Sequence, residues 1–385
     1  MKWLDEFRQK DAASAIIKKI RCISKKSINL MEICGTHTHA ISRFGIREAL
    51  PENIRLISGP GCPVCVTSAG DINRIIAFSA SNENTIIATF GDMMRVPGGI
   101  APYGGTSSLQ EQKAAGGDIR VVYSALNAID IARANPDKEC VLYAVGFETT
   151  APTVAATILA AKAERLKNFS VLALHKLTPP AMKFLLDSGK EGNTLGVEVH
   201  GFICPGHVTA IIGAAAYEFI AKDYRAPCVV AGFEPLDALM GIYMLVKQLE
   251  EGRCAIEVEY DRVVSWRGNI KAQQVINAVF EPTEGAWRGI GVIPVSGLKL
   301  RDGYCAFDAE KKFRIAQTSD AEPVGCRCGD ILKGVIRPNE CPLFGRSCTT
   351  ETPVGPCMVS SEGTCAAFYK YRPLNTEPGG STPFA

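Results

Sequence analysis

Cysteine is the residue type in this sequence with the clearest chemical potential, since 15 of the 385 residues are cysteines. Six of them fall in a C-terminal stretch that is rich in Gly and Pro and poor in apolar periodicity: Cys326, Cys328, Cys341, Cys348, Cys357 and Cys365. Such a stretch buries too little apolar surface to fold by side-chain packing alone, so we expect a metal centre to hold it together. Four thiolates without histidine are typical of a [4Fe–4S] cluster, and two further cysteines suit a redox pair. The spacing also leaves a zinc site open.

Two upstream segments place further thiols directly after apolar runs. Cys34 begins Cys34-Gly35-Thr36-His37, and Cys62 and Cys65 lie in Gly59-Pro60-Gly61-Cys62-Pro63-Val64-Cys65. A thiol at a helix N-terminus has a lowered pKa, so we expect thiolates that bind metal or exchange disulfides. The alternative for the Cys-x-x-Cys pair is two buried small residues in a tight turn.

Five other polar residues follow predicted strands: Asp92, Glu148, His200, His207 and Glu234. Functional side chains gather at the carboxyl ends of strands in α/β sheets, which makes all five candidates for the same site. The two glutamates share a Gly-Phe-Glu context, which favours one shared cleft. The alternatives are an N-cap for the aspartate and an ordinary polar contact for either histidine.

The elements that must position these residues alternate between short apolar strands and helices. The predicted strands are 54–57, 85–89, 120–123, 140–145, 171–174, 197–200 and 228–231, followed by a half-exposed strand over 256–260. The predicted helices are 69–80, 106–116, 125–134, 151–167, 179–188, 208–222 and 236–250. Apolar strands that alternate with helices of this length predict parallel sheets covered on both faces.

The fold class is therefore α/β, with two doubly wound, Rossmann-like parallel-sheet domains flanking a cleft and a Cys-rich iron–sulfur domain. We predict an N-terminal segment over 1–50, which packs with the C-terminal domain, and α/β domains over 51–135 and 136–310. The Cys-rich domain follows over 311–372, and a loose tail over 373–385.

Several classes of function are disfavoured. The sequence has no P-loop, no Gly-x-Gly-x-x-Gly segment that opens a helix and no serine elbow. The net charge of +2 provides no basic field for nucleic acid or anionic lipid. Neither a secretion signal nor a membrane-spanning run is recognisable, so we expect a cytoplasmic protein.

Six motifs in order along the chain resemble the HypD family of [NiFe]-hydrogenase maturation proteins. They are Cys34-Gly35-Thr36-His37-Thr38, Gly59-Pro60-Gly61-Cys62-Pro63-Val64-Cys65, Gly146-Phe147-Glu148-Thr149-Thr150, Pro205-Gly206-His207-Val208, Glu234-Pro235-Leu236-Asp237 and the cysteine-rich end. The resemblance implies a scaffold that works with a small HypC-type protein and a HypE-type cyanide donor to build the Fe(CN)₂CO moiety of the hydrogenase.

The resemblance also implies roles for individual thiols. Cys34 would ligate the iron with His37 nearby, and Cys62 and Cys65 would form an adjacent dithiol pair. Cys328, Cys341, Cys348 and Cys365 would hold a [4Fe–4S] cluster, leaving Cys326 and Cys357 as a second redox pair. Cys326 and Cys328 could exchange these roles.

Two other functions compete with this interpretation. One is a general thiol–disulfide oxidoreductase that uses Cys62 and Cys65, although it leaves Cys34 and the paired glutamates unexplained. The other is a zinc-stabilised binding module without redox activity. Whether the scaffold counts as an enzyme is partly a matter of definition, since the complex it builds is handed on.

Metal analysis of protein purified without oxygen separates these possibilities. We expect iron and acid-labile sulfide together with visible absorption, because the C-terminal thiolates suit an iron–sulfur cluster. Zinc without sulfide, in colourless protein, would contradict the iron–sulfur interpretation.

Overall fold

The computed structural model describes residues 5–99, 107–188 and 197–371. Within them, the strands form two parallel sheets and one antiparallel pair. The strands are β1 Ile28–Glu32, β2 Ile54–Ser58, β3 Thr85–Thr89, β4 Ile119–Val121, β5 Glu139–Gly146, β6 Phe169–His175, β7 Gly201–Pro205, β8 Cys228–Ala231, β9 Ile256–Val258, β10 Phe280–Trp287 and β11 Gly291–Leu300. The first sheet has the order β2-β1-β7-β8-β9, the second has the order β4-β3-β5-β6, and β10 pairs with β11.

Helices connect most of the parallel strands. They are α1 Lys10–Ile23, α2 Gly35–Arg43, α3 Ile46–Ala49, α4 Pro63–Val66, α5 Ala69–Ser81, α6 Leu109–Ala114, α7 Asn127–Ala134, α8 Ala151–Ala163, α9 Thr178–Ser188, α10 Gly206–Ile212, α11 Glu218–Tyr224, α12 Pro235–Glu250, α13 Ile270–Val279, α14 Ala309–Phe313, α15 Cys328–Leu332 and α16 Thr364–Lys370. Short 3₁₀ turns cover Asp5–Arg8, Gly91–Arg95, Ala214–Tyr217, Asp302–Phe307, Pro338–Glu340 and Pro356–Met358.

Both parallel sheets are buried on both faces, which explains why their strands are continuously apolar. In the first sheet, Leu30 packs on one side with α1 and α12, and Met31 packs on the other side with α9. In the second sheet, Leu142 and Val141 divide in the same way between two cores. Successive side chains of a strand point to opposite faces, so each apolar run serves two cores at once. The predicted parallel α/β architecture is confirmed.

The strands are divided between the sheets differently from the prediction. The predicted boundary near residue 135 falls inside the second sheet, because β4 and β5 lie on either side of it and both pair with β3. The first sheet takes β1 and β2 from the start of the chain and β7, β8 and β9 from its middle. The chain therefore leaves the first sheet, builds the second and returns. The N-terminal segment contributes β1 to the first sheet, and its α2 contacts α16.

Two local predictions were wrong, and the predicted tail lies outside the described residues. The strand predicted over 197–200 lies instead at Gly201–Pro205, where the apolar run is longer. The helix predicted over 208–222 is broken at Gly213, whose φ of +85° belongs to the left-handed region that glycine tolerates.

Among the described residues, no helix is both long enough and apolar enough to cross a membrane.

Candidate thiol and metal centre

Cys34 lies at the carboxyl end of β1 and serves as the N-cap residue of α2. Its side chain is buried. Burial, and to a smaller extent the carboxylate of Glu362, raises the pKa of the Cys34 thiol to about 12. The prediction of a ready thiolate here was wrong: backbone N–H groups of α2 do favour the ionised form, but the loss of water outweighs them.

One neutral imidazole, that of His207, stands beside this thiol, and a second, that of His37, packs on the same phenylalanine ring. The Cys34 Sγ lies 3.9 Å from Nδ1 of His207. His37 donates from Nε2 to the carbonyl oxygen of Gly232 at 2.8 Å, so its Nδ1 carries the free lone pair. Burial lowers the pKa of each histidine to about 4. The Phe233 ring contacts both imidazoles, with centroid distances of 4.8 and 5.0 Å.

The Cys-x-x-Cys segment packs directly against Cys34, because β1 and β2 are neighbours in the first sheet. Gly35 donates its N–H to the carbonyl oxygen of Gly61 at 3.0 Å. Cys62 is the N-cap residue of α4, and its Sγ lies 2.7 Å from the Sγ of Cys65. Burial also raises the pKa of Cys65 well above its ordinary value. Both thiols are buried, as expected if the segment were only a tight turn of small residues. Their sulfur atoms are nevertheless close enough to form a dithiol pair.

The six C-terminal cysteines line one cavity, which we call the cysteine cavity. Its remaining lining is mainly apolar and includes Ile331, Leu343, Phe344 and Met358. All fifteen cysteines of the chain are free thiols. Hydrogen bonding to Cys328, burial and charge repulsion raise the pKa of Cys326. These thiols have no cationic neighbour in the cavity lining, so a soft metal group that displaces their protons fits this donor set.

No three His, Cys, Asp or Glu side chains of the described ranges are arranged to hold a single metal ion. The thiolates of an iron–sulfur cluster bind separate irons and need not converge on one point. The cavity thus has the donors of a cluster site.

A chain of thiol contacts joins the dithiol pair to the cysteine cavity. Cys65 Sγ lies 3.9 Å from the carbonyl oxygen of Pro356, the residue before Cys357, and the pKa of Cys357 responds to both Cys65 and Cys328. Cys328 in turn contacts Cys326. On the other side of the cavity, Cys365 is close enough to experience the charges of three further thiols: Cys326, Cys341 and Cys348.

The structure brings Asp92 to the same region. Its Oδ2 accepts a hydrogen bond from the Ser360 hydroxyl at 2.9 Å. Nearby, Glu362 accepts one from the Thr36 hydroxyl at 2.9 Å. Burial and then the Asp92 charge raise the pKa of Glu362. Glu362 therefore lies beside Cys34, and Asp92 lies near Glu362. Asp92 is not the N-cap of its 3₁₀ turn, which is Phe90.

Among the described residues, no hydrogen bond or shared ion pair links the two glutamates of the Gly-Phe-Glu segments. Glu148 is buried and accepts hydrogen bonds from the backbone N–H of Thr178, at 2.7 Å, and from its hydroxyl, at 3.0 Å. Glu234 is bonded instead to the guanidinium of Arg8, with one N–O distance of 2.9 Å. Each carboxylate is thus engaged by a separate partner from a distant part of the chain.

His200 is also separate from the site. It immediately precedes β7, and its Nδ1 accepts the backbone N–H of Asn29 at 3.0 Å. This is the amino end of the first sheet, whereas Cys34 and His207 lie at the carboxyl end. A strand of five residues spans about 16 Å, which keeps the two ends apart.

Sequence reasoning missed three buried or half-buried acids near the site. Glu32 accepts a hydrogen bond from the Ser58 hydroxyl at 2.7 Å, and a carboxylate at the end of a mainly apolar strand could have revealed it. Glu362 has no such sequence signal. Glu259 holds the N–H of Gly232 at 3.1 Å and so positions the peptide that binds His37, a role visible only in three dimensions.

Comparison with known proteins gives a match along nearly the whole chain. The HypD family, described as "Hydrogenase formation hypA family", matches residues 11–372. The chain is 48% identical to hydrogenase maturation factor HypD2 of Bradyrhizobium diazoefficiens, over 96% of this chain and 97% of the relative. It is 47% identical to HypD of Rhizobium leguminosarum, over 96% of each protein. It is 43% identical to HypD of Escherichia coli, over 98% of this chain and 100% of the relative.

Gly61→Ala tests the close approach of the two thiol segments. An added Cβ would lie 2.2 Å from the Cys34 backbone nitrogen, so we expect a loss of about 3 kcal/mol in the free energy of unfolding. Anaerobic urea unfolding measures this loss. Gly303→Ala is the matched control, since its Cβ would meet nothing within 4 Å. Equal shifts in the two variants would contradict the packing.

Glu148→Gln tests the burial of that carboxyl group. Burial raises the pKa of Glu148 to about 7 in the folded protein, from 4.5 in the unfolded chain, so its contribution to stability is lost as the pH rises through this window. Relative to wild type, the variant should gain about 2–3 kcal/mol between pH 5 and pH 8. Chemical unfolding at both pH values measures the difference. Glu52→Gln, which neutralises an exposed carboxylate, is the control; a parallel pH profile for Glu148→Gln and wild type would contradict the prediction.

Proposed function

The chain belongs to the HypD family of hydrogenase maturation factors, and on that premise we propose that it is the scaffold on which iron receives its CN and CO ligands. Cys34 holds this iron, which is the cargo of the reaction. The observation that carries the proposal is the buried Cys34 thiol, 3.9 Å from a neutral imidazole of His207 and packed against the dithiol segment. A HypC-type small protein and a HypE-type cyanide donor are the partners that family membership suggests.

Iron binding at Cys34 requires the thiol to lose a proton. The pKa of about 12 means that the apo protein keeps this thiol protonated near neutral pH. An approaching iron replaces this proton, which is released to solvent, because the iron–thiolate bond offsets the cost of ionising a buried thiol. His37 cannot donate through Nδ1, because its only N–H is used on Gly232. A soft thiolate then suits low-valent iron with strong-field ligands.

The cysteine cavity is the proposed site of a [4Fe–4S] cluster. The charges of Cys326, Cys341 and Cys348 all act on Cys365, whereas Cys357 responds most to Cys328 and Cys65, which supports the first four thiols as the ligands of the cluster. Cys328 and Cys357 are then left as the second redox pair. In the assignment from resemblance, Cys328 was a cluster ligand and Cys326 was the redox partner of Cys357, so these two cysteines exchange roles. When bound, the cluster supplies single electrons.

The thiol contacts support an exchange between the two pairs. The Cys357 thiolate attacks the Cys65 sulfur of a Cys62–Cys65 disulfide, which forms a Cys65–Cys357 disulfide and releases the Cys62 thiolate. Cys328 then attacks Cys357 and releases Cys65. Two electrons have moved: Cys62 and Cys65 are reduced and take up two protons, and Cys328 and Cys357 are oxidised and lose two.

Burial argues against a general thiol–disulfide oxidoreductase. Cys62 is 3% exposed and Cys65 is fully buried, so a foreign protein disulfide has no access to either sulfur. The contact of Cys65 with Cys357 favours an internal partner instead.

Cys34→Ala should abolish binding of the iron complex and leave the cluster absorption unchanged, because the two thiol sets are separate. Infrared bands of the CN and CO ligands and the visible spectrum report the two sites on one anaerobic sample. Cys22→Ala, which removes an exposed thiol on α1, is the control. Loss of both signals from Cys34→Ala would refute separate sites.

Cys326→Ser and Cys328→Ser test the exchanged assignment. We expect Cys326→Ser to lose most of the visible absorption and iron content, because a cluster ligand is gone. Cys328→Ser should keep the cluster and lose only thiol exchange. The opposite pattern would restore Cys328 as the ligand and Cys326 as the redox partner.

A further inference from the structure

A second cavity, lined by arginines, adjoins the cysteine cavity. Arg47, Arg55 and Arg337, which we call the arginine face, line it together with Ile331 and Phe368, and its lining contains no acidic residue. Arg47 and Arg337 continue into a neighbouring cavity whose lining includes one acid, Glu48. Positive side chains therefore dominate this surface.

The three arginines differ in how they are held. Arg47 is fixed: it donates to the carbonyl oxygen of Leu56, pairs with the buried Glu32 carboxylate at 3.5 Å, and has its guanidinium 4.9 Å from the centre of the Phe368 ring. The guanidinium groups of Arg55 and Arg337 have no ion pair with any residue of the described ranges. Glu340 is close to Arg337 but accepts its backbone N–H. Two positive charges are thus available to an external anionic group.

The arginine face is close to the cysteine cavity. The side chain of Ile331 borders both the arginine-lined cavity and the cysteine cavity. Phe344 likewise borders the cysteine cavity and the neighbouring cavity. Single side chains therefore separate the basic surface from the thiols.

We propose that the arginine face is the docking site of a small acidic one-electron carrier protein that supplies the electrons for thiol exchange. The inference rests on the proposed function, since it assumes a redox group in the cysteine cavity. Each encounter oxidises the carrier by one electron and reduces that group by one. Two encounters and two protons from solvent balance the reduction of one disulfide.

Charge and sequence together favour a protein carrier. Complementary charges orient two proteins and accelerate their encounter, and this surface offers an array of guanidinium groups rather than an enclosed pocket for one small anion. The sequence lacks a dinucleotide-binding fingerprint, so a bound nicotinamide or flavin dinucleotide is not favoured as the electron source.

The test compares two double variants of the intact chain, purified without oxygen, with a small acidic ferredoxin as the probe. Arg55→Gln/Arg337→Gln removes the free charges of the arginine face. Arg267→Gln/Lys271→Gln removes the same charge from an exposed surface elsewhere. Calorimetry measures ferredoxin binding, and stopped-flow absorption measures the reduction rate. Reduction by the small dye radical methyl viologen, which needs no docking surface, is followed in parallel.

We expect Arg55→Gln/Arg337→Gln to weaken ferredoxin binding and slow reduction at least about tenfold at low ionic strength. High salt should remove the difference, because mobile ions screen exposed charges. The control variant should match wild type, and methyl viologen should reduce all three proteins equally. Unchanged binding in Arg55→Gln/Arg337→Gln, or equal losses in the control, would refute the arginine face as a docking site and leave the proposed function standing. A wild-type protein that methyl viologen cannot reduce would overturn the proposed function itself.

Discussion

The desolvation of thiols is the constraint on which the site depends. A thiolate is poorly stabilised away from water, so Cys34 and Cys65 keep their protons in the folded chain despite nearby helix ends. Such thiols are inert until a metal replaces the proton or another sulfur forms a bond. Burial therefore keeps these groups unreactive, and in the proposed function their ionisation depends on the arrival of iron or on an internal disulfide.

The topology brings these buried thiols together. The carboxyl end of the first sheet supplies Cys34 and the dithiol segment, and the second sheet supplies Asp92. Both sheets meet the C-terminal segment between residues 357 and 362. Three residue pairs make this junction: Thr36 with Glu362, Cys65 with Cys357, and Asp92 with Ser360. Because the chain leaves the first sheet and later returns to it, the first sheet cannot form from one continuous segment, whereas β3 to β6 of the second sheet follow one another along the chain. The C-terminal segment then joins the carboxyl ends of the two sheets.

Much of the fold followed from local patterns, and the failures came from distant contacts. Apolar runs such as Thr85–Thr89 predicted the strands, but which strands pair is decided by packing between distant segments, so the boundary near residue 135 was wrong. Cys34, Cys62, Cys65 and His207 were found because they follow strands. His200 was misplaced, because the buried strand begins just after it. Glu148 and Glu234 looked equivalent in sequence, yet Thr178 and Arg8 engage them separately, and no local pattern encodes such partners. The helix-end argument failed for Cys34, because sequence does not report how completely a thiol is shielded from water.

The central claim is that the two cysteine pairs exchange electrons through the contact of Cys65 with Cys357. Equilibration of the wild-type protein at a series of fixed redox potentials, with rapid alkylation and mass spectrometry, maps every disulfide directly. The account predicts that Cys62–Cys65 and Cys328–Cys357 disulfides interconvert, with a Cys65–Cys357 disulfide at intermediate potentials. Titration of the Cys62–Cys65 disulfide while Cys328 and Cys357 remain free thiols at every potential would contradict it.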